Sequence, residues 1–216
     1  AFLSLIIFPL FVYCQNSHKD NGGERWSVER AWEWHKENGW MAGTNFNPSS
    51  AINQLEFFQK ETFDLETIDR ELGWSAELGM KMHRVYLHNL LWEQDSIGFI
   101  KRIKAYLKVS EVHKLKTMFV LLDDVWHPQP KLGKQPEPIP FVHNSGWVQA
   151  PGAEILGDSL RHDELKNYIK GVIRNFANDE RVIAWDLYNE PDNVAIQPDR
   201  AKIEVKEIGN RLVLLI

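Results

Sequence analysis

Short apolar runs of strand length alternate along this chain with longer runs of helical period, and that alternation restricts the fold more than any other feature. The apolar runs fall at residues 40–46, 82–88, 117–122 and 182–190. After the first, Ile68, Leu72 and Ala76 make an apolar stripe behind Asp64. The Asp64 side chain suits an N-cap, Glu66 is favourable in the first turn, and Gly79 fits the position just past the end. After the second, Ile100, Ile103, Leu107 and Ser110 predict a helix over 98–113. Leu165, Tyr168, Ile169, Val172, Ile173 and Phe176 give the clearest helical period in the chain, and a further helix is expected from about Lys202. The order is βαβαβαβα, which predicts a parallel sheet wrapped by right-handed crossovers. Periodicity alone leaves a closed barrel and an open sheet as alternatives.

The fourth run, Val182-Ile183-Ala184-Trp185-Asp186-Leu187-Tyr188-Asn189-Glu190-Pro191, carries the most chemistry. Val182, Ile183 and Trp185 suit a strand buried on both faces. Pro191 cannot donate to a ladder, so pairing should stop there and leave Asn189 and Glu190 at the C-terminal rim of the sheet. That rim is where α/β barrels and open α/β sheets do their chemistry. Strict alternation would turn the two side chains to opposite faces, so both reach one ligand only if the strand's regularity breaks at its end. A solvated strand end with two ordinary polar residues is the plain alternative.

Residues 185–191 resemble the fourth-strand motif of retaining glycoside hydrolases built on (β/α)8 barrels, nearest to the cellulase-like glycoside hydrolase family 5. Three further motifs resemble that family in the same order: Gly43-Thr44-Asn45-Phe46-Asn47-Pro48 a first strand end, Arg84-Val85-Tyr86-Leu87-His88 a second strand, and His143-Asn144-Ser145-Gly146-Trp147 a long loop. The matches run from about Trp40 to Asp192. The resemblance implies a (β/α)8 barrel of which about the first four βα units are present. It implies an endo-acting retaining hydrolase of a plant-type β-glycan such as glucan, mannan or xylan. Glu190 would be the acid/base, Asn189 would bond the sugar 2-hydroxyl, and Arg84 would hold the nucleophilic carboxylate ionised. The family draws that nucleophile from its seventh strand, which leaves it outside this sequence.

The residue types fit that chemistry. Glycoside cleavage needs a proton for a poor leaving group and a second carboxylate for the oxocarbenium-like centre. A carboxyl that delivers a proton near neutrality needs burial or a neighbouring anion. Asn189 binds hydroxyls without altering local charge. Arg84 shares a strand face with Tyr86 and His88, and a buried arginine needs an acidic partner. His88 suits either sugar hydroxyls or a satisfied structural role. Trp92, Trp126 and Trp147 follow strands and are candidates for stacking on sugar rings, whereas Trp74 sits inside a helix and is expected in the core. Asp123 and Asp124 close the third strand; lining a subsite, hydrating the turn, or pairing with Glu190 in catalysis are their alternatives. The Pro- and Gly-rich stretch 123–162 is far longer than the roughly 12–15 residues at which unstructured connections become unusual.

Other chemistries find little support. His83 and His88 have opposite parity on one strand, no compact Cys/His spacing exists and no Gly-rich phosphate loop is present, so no metal, nucleotide or other cofactor is expected. A net charge of −5 argues against a nucleic-acid partner. An oligo- or polysaccharide is the expected partner, and the nine tryptophans accord with one. Residues 1–14 are apolar and too short to span a bilayer as a helix, but fit the core of a signal peptide, so export is expected, to the periplasm, cell surface or medium. Cys14, the single cysteine, stands where a lipid anchor would attach, but Tyr13 is bulky where a small residue is expected. Residues 15–38 read as a linker with a short helix over 28–36, and 39–216 as the N-terminal half of the barrel. The absence of an initiator Met and the apolar run 212–216 predict a piece of a longer hydrolase. A non-catalytic carbohydrate-binding protein built on a half barrel is the competing reading.

Overall fold

The computed structural model describes residues 25–191; Cys14, the apolar run 1–14 and the helix expected from about Lys202 lie outside them. The chain divides into two units at Trp40/Met41. In the first, α1 (Val28–Asn38) starts at Ser27, whose hydroxyl accepts from the Arg30 N–H at 3.2 Å. It ends at Gly39, held at φ +65°.

The second unit is built on a parallel sheet of β1 (Gly43–Asn45), β2 (Met82–Tyr86), β3 (Lys116–Val120) and β4 (Val182–Asp186), in that spatial order. The register aligns Asn45 with Arg84, Arg84 with Met118, and Val120 with Asp186. Between β1 and β2 lie α2 (Gln54–Phe58) and α3 (Leu65–Glu77). A long α4 (Asn89–Val112) joins β2 to β3. The passage from β3 to β4 holds α5 (Ala153–Leu156), a 3-10 turn (Ser159–Arg161) and α6 (His162–Phe176). The mixed α/β class and the parallel sheet are as the alternating pattern predicts.

One sheet face is covered by helices. Val85 of β2 and Phe119 of β3 are fully buried there with Phe57, Ile103, Tyr106 and Phe176. The other face carries Met82, Arg84 and Met118, all only partly covered. Every residue of β4 is likewise half-buried, not enclosed on both faces as its apolar run predicts. Among the described residues β4 pairs with a neighbour on one side alone, which accounts for the difference.

Local chemistry explains the element boundaries. Asp64 accepts from the Thr67 N–H at 3.1 Å, and α3 closes through Gly79 at φ +84°. α4 begins nine residues before the predicted Gly98. Its first turn is capped by the His88 ring, and the backbone breaks at Asp95 (φ −158°, ψ 75°), whose carboxylate then caps a second start by accepting from Gly98 N–H at 2.8 Å. The predicted helix is therefore the second of two merged segments. α2 is too short to show a period; Asn53 caps it through bonds from Leu55 and Glu56 N–H groups. Trp74, expected in the core, is 54% exposed, because Ile68 and Leu72 take the inward face of α3. Arg70 lies against the Trp74 ring instead, 5.4 Å from its centroid. Among the described residues no helix is long and apolar enough to cross a membrane.

Candidate active site

The C-terminal ends of β2, β3 and β4 bring together most of the polar residues singled out in the sequence. Beyond Asp186 the chain keeps pairing with the segment after β3. The Asn189 N–H donates to Leu122 O at 2.8 Å, and the Asp124 N–H donates to Asn189 O at 3.1 Å. One residue later the backbone turns into the left-handed region, with Glu190 at φ +48°. A non-glycine residue there is uncommon, and such strain concentrates at functional sites. The backbone thus departs from strand regularity at Glu190, just before Pro191. Asn189 stays half-buried while Glu190 is exposed.

Arg84 ties β2 to β4 and to the segment just beyond it, across β3. Its guanidinium donates to the Asp186 carboxylate, to the Tyr86 hydroxyl, and to Asn189 Oδ1 at 2.8 Å. The guanidinium carbon also lies 4.9 Å from the Tyr86 ring centroid. Asp186 is thus the acidic partner that Arg84 requires. Sequence reasoning treated Asp186 only as part of a strand; the signal available was a carboxylate set in an otherwise apolar run. Tyr86 is pushed up to about 12, first by burial, with Arg84 opposing and Asp123, Asp186 and Glu190 adding to the rise.

Asp123 is buried at the centre of this cluster. Its Oδ1 accepts from Asn189 Nδ2 at 2.8 Å and from Val125 N–H at 3.3 Å. Burial raises its carboxyl to about 7; the Asn189 and Val125 bonds and Arg84 oppose the rise, and the charge of Glu190 adds to it. Glu190 is exposed, so burial does not supply the environment that an acid role calls for. Asp124 is buried beside Asp123.

The remaining candidates separate by location. His88 is fully buried; its Nδ1 accepts from Leu90 N–H at 3.2 Å and its Nε2 donates to Gln149 O at 2.8 Å. Both ring nitrogens are committed within the chain, which makes His88 a satisfied structural residue here. Burial lowers it to about 4, so the ring is neutral, with its proton on Nε2. Trp147 stands at the rim, its ring edge-on to Tyr86 at 5.3 Å. Sequence reasoning missed what holds it: α2 and its cap, through Asn53 donating to Gly146 O and Gln54 donating to Val148 O, each at 2.8 Å. Trp126 has φ +106° and packs edge-on to His143 at 5.2 Å. Trp92 does not stand on a loop after a strand. It lies within α4, partly buried, with its ring against Gly171 of α6.

The 123–162 segment is bound into this site rather than free. Asp123 bridges to Ala150, His127 to Val148, and Gln149 donates to Asp124 O at 2.6 Å. Two clefts open along it. One of about 490 Å³ is lined by Trp147, His127, Lys131 and Lys134, and one of about 730 Å³ by Pro128, Pro130, Pro151 and Arg161. Neither is lined by Asn189 or Glu190, so the ionisable cluster stands beside the clefts rather than in them. Among the described residues no group of three or more His, Cys, Asp or Glu side chains is arranged to hold a metal ion. No protein-family model matches the chain, and no curated protein matches it in sequence.

Proposed function

We propose that this chain is the N-terminal half of a retaining β-glycoside hydrolase of the (β/α)8 barrel type, similar to glycoside hydrolase family 5. Glu190 is its acid/base and the nucleophile comes from a strand outside this sequence. The observation that carries the reading is the Arg84–Asn189–Asp123 chain of hydrogen bonds at the C-terminal rim, with Glu190 next in sequence at a strained backbone position. It joins an amide able to bind a sugar hydroxyl, a cation beside it and a carboxylate facing solvent. The strand order also supports a barrel: among the described residues each strand after the first pairs with its predecessor, without the reversal of order that marks an open doubly wound sheet. The substrate is a β-linked oligo- or polysaccharide, with Trp147 at the rim as a stacking face.

The test is Glu190→Gln in the full-length protein. General acid assistance contributes about 10²–10⁴-fold, so turnover of an unactivated β-glycan should fall by at least two orders of magnitude. Aryl glycosides with good leaving groups should lose less in the first step, and azide should restore the second. Near-normal turnover of a β-glycan by the variant would remove Glu190 from the mechanism. Sugar binding without hydrolysis by the unaltered protein would favour a carbohydrate-binding role instead.

A further inference from the structure

We propose that Asp123 is a positioning residue that locks the Asn189 amide in one orientation, nitrogen towards β3 and oxygen towards Arg84. It thereby decides which polar atoms the Asn189–Glu190 pair offers to a bound sugar. The inference rests on the glycosidase reading above and adds to it a residue that the resemblance does not assign.

The argument begins with what each neighbour is able to do. A guanidinium only donates, so Arg84 Nη2, at 2.8 Å, demands an acceptor and takes Asn189 Oδ1. Asp123 Oδ1 stands 2.8 Å from the other end of the amide and already receives the Val125 N–H. A flipped amide would set N–H against N–H at Arg84 and oxygen against oxygen at Asp123. A donor-only group on one side and an acceptor oxygen on the other thus fix an orientation that an isolated Asn leaves open. Once both bonds are made, Asn189 retains one N–H and one oxygen lone pair, the complement of a single sugar hydroxyl.

Asp123 is built to stay in place. Its side chain is buried, its own peptide exchanges hydrogen bonds with Ala150 at 2.6 and 2.9 Å, and the peptides on either side of it bond to Asn189. Its Oδ2 has no hydrogen-bond partner among the described residues. When the carboxyl is protonated, Oδ2 is the oxygen that takes the proton, because Oδ1 is held by two N–H donors. The acceptor facing Asn189 therefore persists in both charge states, and the positioning does not depend on the charge. Arg84 and Tyr86 from β2 and Glu190 after β4 are the charged or titratable groups that act on it.

The test compares Asp123→Ala, Asp123→Ser and Asp123→Asn in the full-length protein, on an aryl β-glycoside and on its 2-deoxy counterpart. A catalytic group misplaced by about 1 Å costs on the order of 10²-fold. Asp123→Ala and Asp123→Ser should therefore lower kcat/KM for the complete sugar by roughly that factor. The loss should shrink to a few-fold on the 2-deoxyglycoside, which lacks the hydroxyl that Asn189 meets. Asp123→Asn keeps an acceptor oxygen and should recover most of the activity. Asp123→Ser serves as the reading should Asp123→Ala not fold. Equal losses on both glycosides, or no loss on either, would overturn the positioning role. Failure of the unaltered protein to cleave any glycoside would instead overturn the hydrolase reading on which it rests.

Discussion

Replacing Asp123 by Asn should make the stability of this protein depend on pH more steeply, although the substitution removes a titrating group. Two buried side chains at the rim titrate in overlapping windows with opposite signs. His88 falls from 6.5 in the unfolded chain to about 4 in the folded one, through burial. Its contribution is therefore fully present above pH 6.5 and is lost as pH falls through about 4. At roughly 1.4 kcal/mol per pH unit this amounts to about 3 kcal/mol. Asp123 rises from 3.8 to about 7, also chiefly through burial. Its contribution is fully present below pH 3.8 and is lost as pH rises through about 7, some 4 kcal/mol in all.

From about pH 4 to 6.5 the two slopes nearly cancel, so the unaltered protein should show little net dependence from this pair. Asp123→Asn leaves the His88 slope standing alone, and the variant should gain about 3 kcal/mol of stability over that range. His88→Gln should expose the reverse slope, with stability falling towards neutrality. Urea unfolding followed by tryptophan fluorescence at closely spaced pH values from 4 to 8 measures both. Subtracting the unaltered protein at each pH removes the background of ordinary carboxylates, and the lost hydrogen bonds enter only as a constant offset. A difference between Asp123→Asn and the unaltered protein that stays constant from pH 4 to 7 would refute the buried-carboxyl reasoning.

Arg84→Ala strands the Asp186 carboxylate, the Tyr86 hydroxyl and Asn189 Oδ1 together. Because the ion pair is 24% exposed on each side, the expected cost lies between exposed and buried pairs, about 2 kcal/mol by thermal or urea unfolding. Arg84→Lys should recover little of it, since one ammonium cannot span acceptors arranged around a planar fork. Gly171→Ala should gain roughly 1 kcal/mol of helix propensity but drive its new methyl group into the Trp92 ring, at a cost of about 1–3 kcal/mol. A net loss that turns into a gain when Trp92→Leu is added would verify the contact; a gain in the unaltered background would disprove it.

The alternation of apolar and helical runs was enough to read the parallel sheet, α3 and α6, because each buries a repeating stripe against one partner surface; α1 was legible too, although none of its residues is buried. What escaped the sequence lacked a period. α2 has only five residues and owes its existence to the Asn53 cap and to the loop it supports. The start of α4 depends on a histidine acting as cap, a role for which Ser, Thr, Asn or Asp is the usual signal. Asp186 was hidden because its role depends on pairing with Arg84, 102 residues away. Asp123 was visible as a polar strand end, but its burial follows from Ala150 folding back over it, a contact that no local pattern announces. Trp92 was read as rim because α4 starts earlier than its period shows.

Because, among the described residues, each strand after the first pairs with the one made just before it, the sheet can grow by addition as the chain is synthesised. The Arg84–Asn189 bond spans 105 residues, so at about 5–20 residues per second the nascent chain carries Arg84 for roughly 5–20 s before Asn189 exists. During that interval the guanidinium has neither Asp186 nor Asn189 to hold it, and it stands on the uncovered face of an unfinished sheet. An unpaired charge on a sheet face works against the pairing of such a sheet with another copy of itself. The residue that bonds Asp186 and Asn189 would thus also work against association of the partly made sheet until the fourth strand arrives.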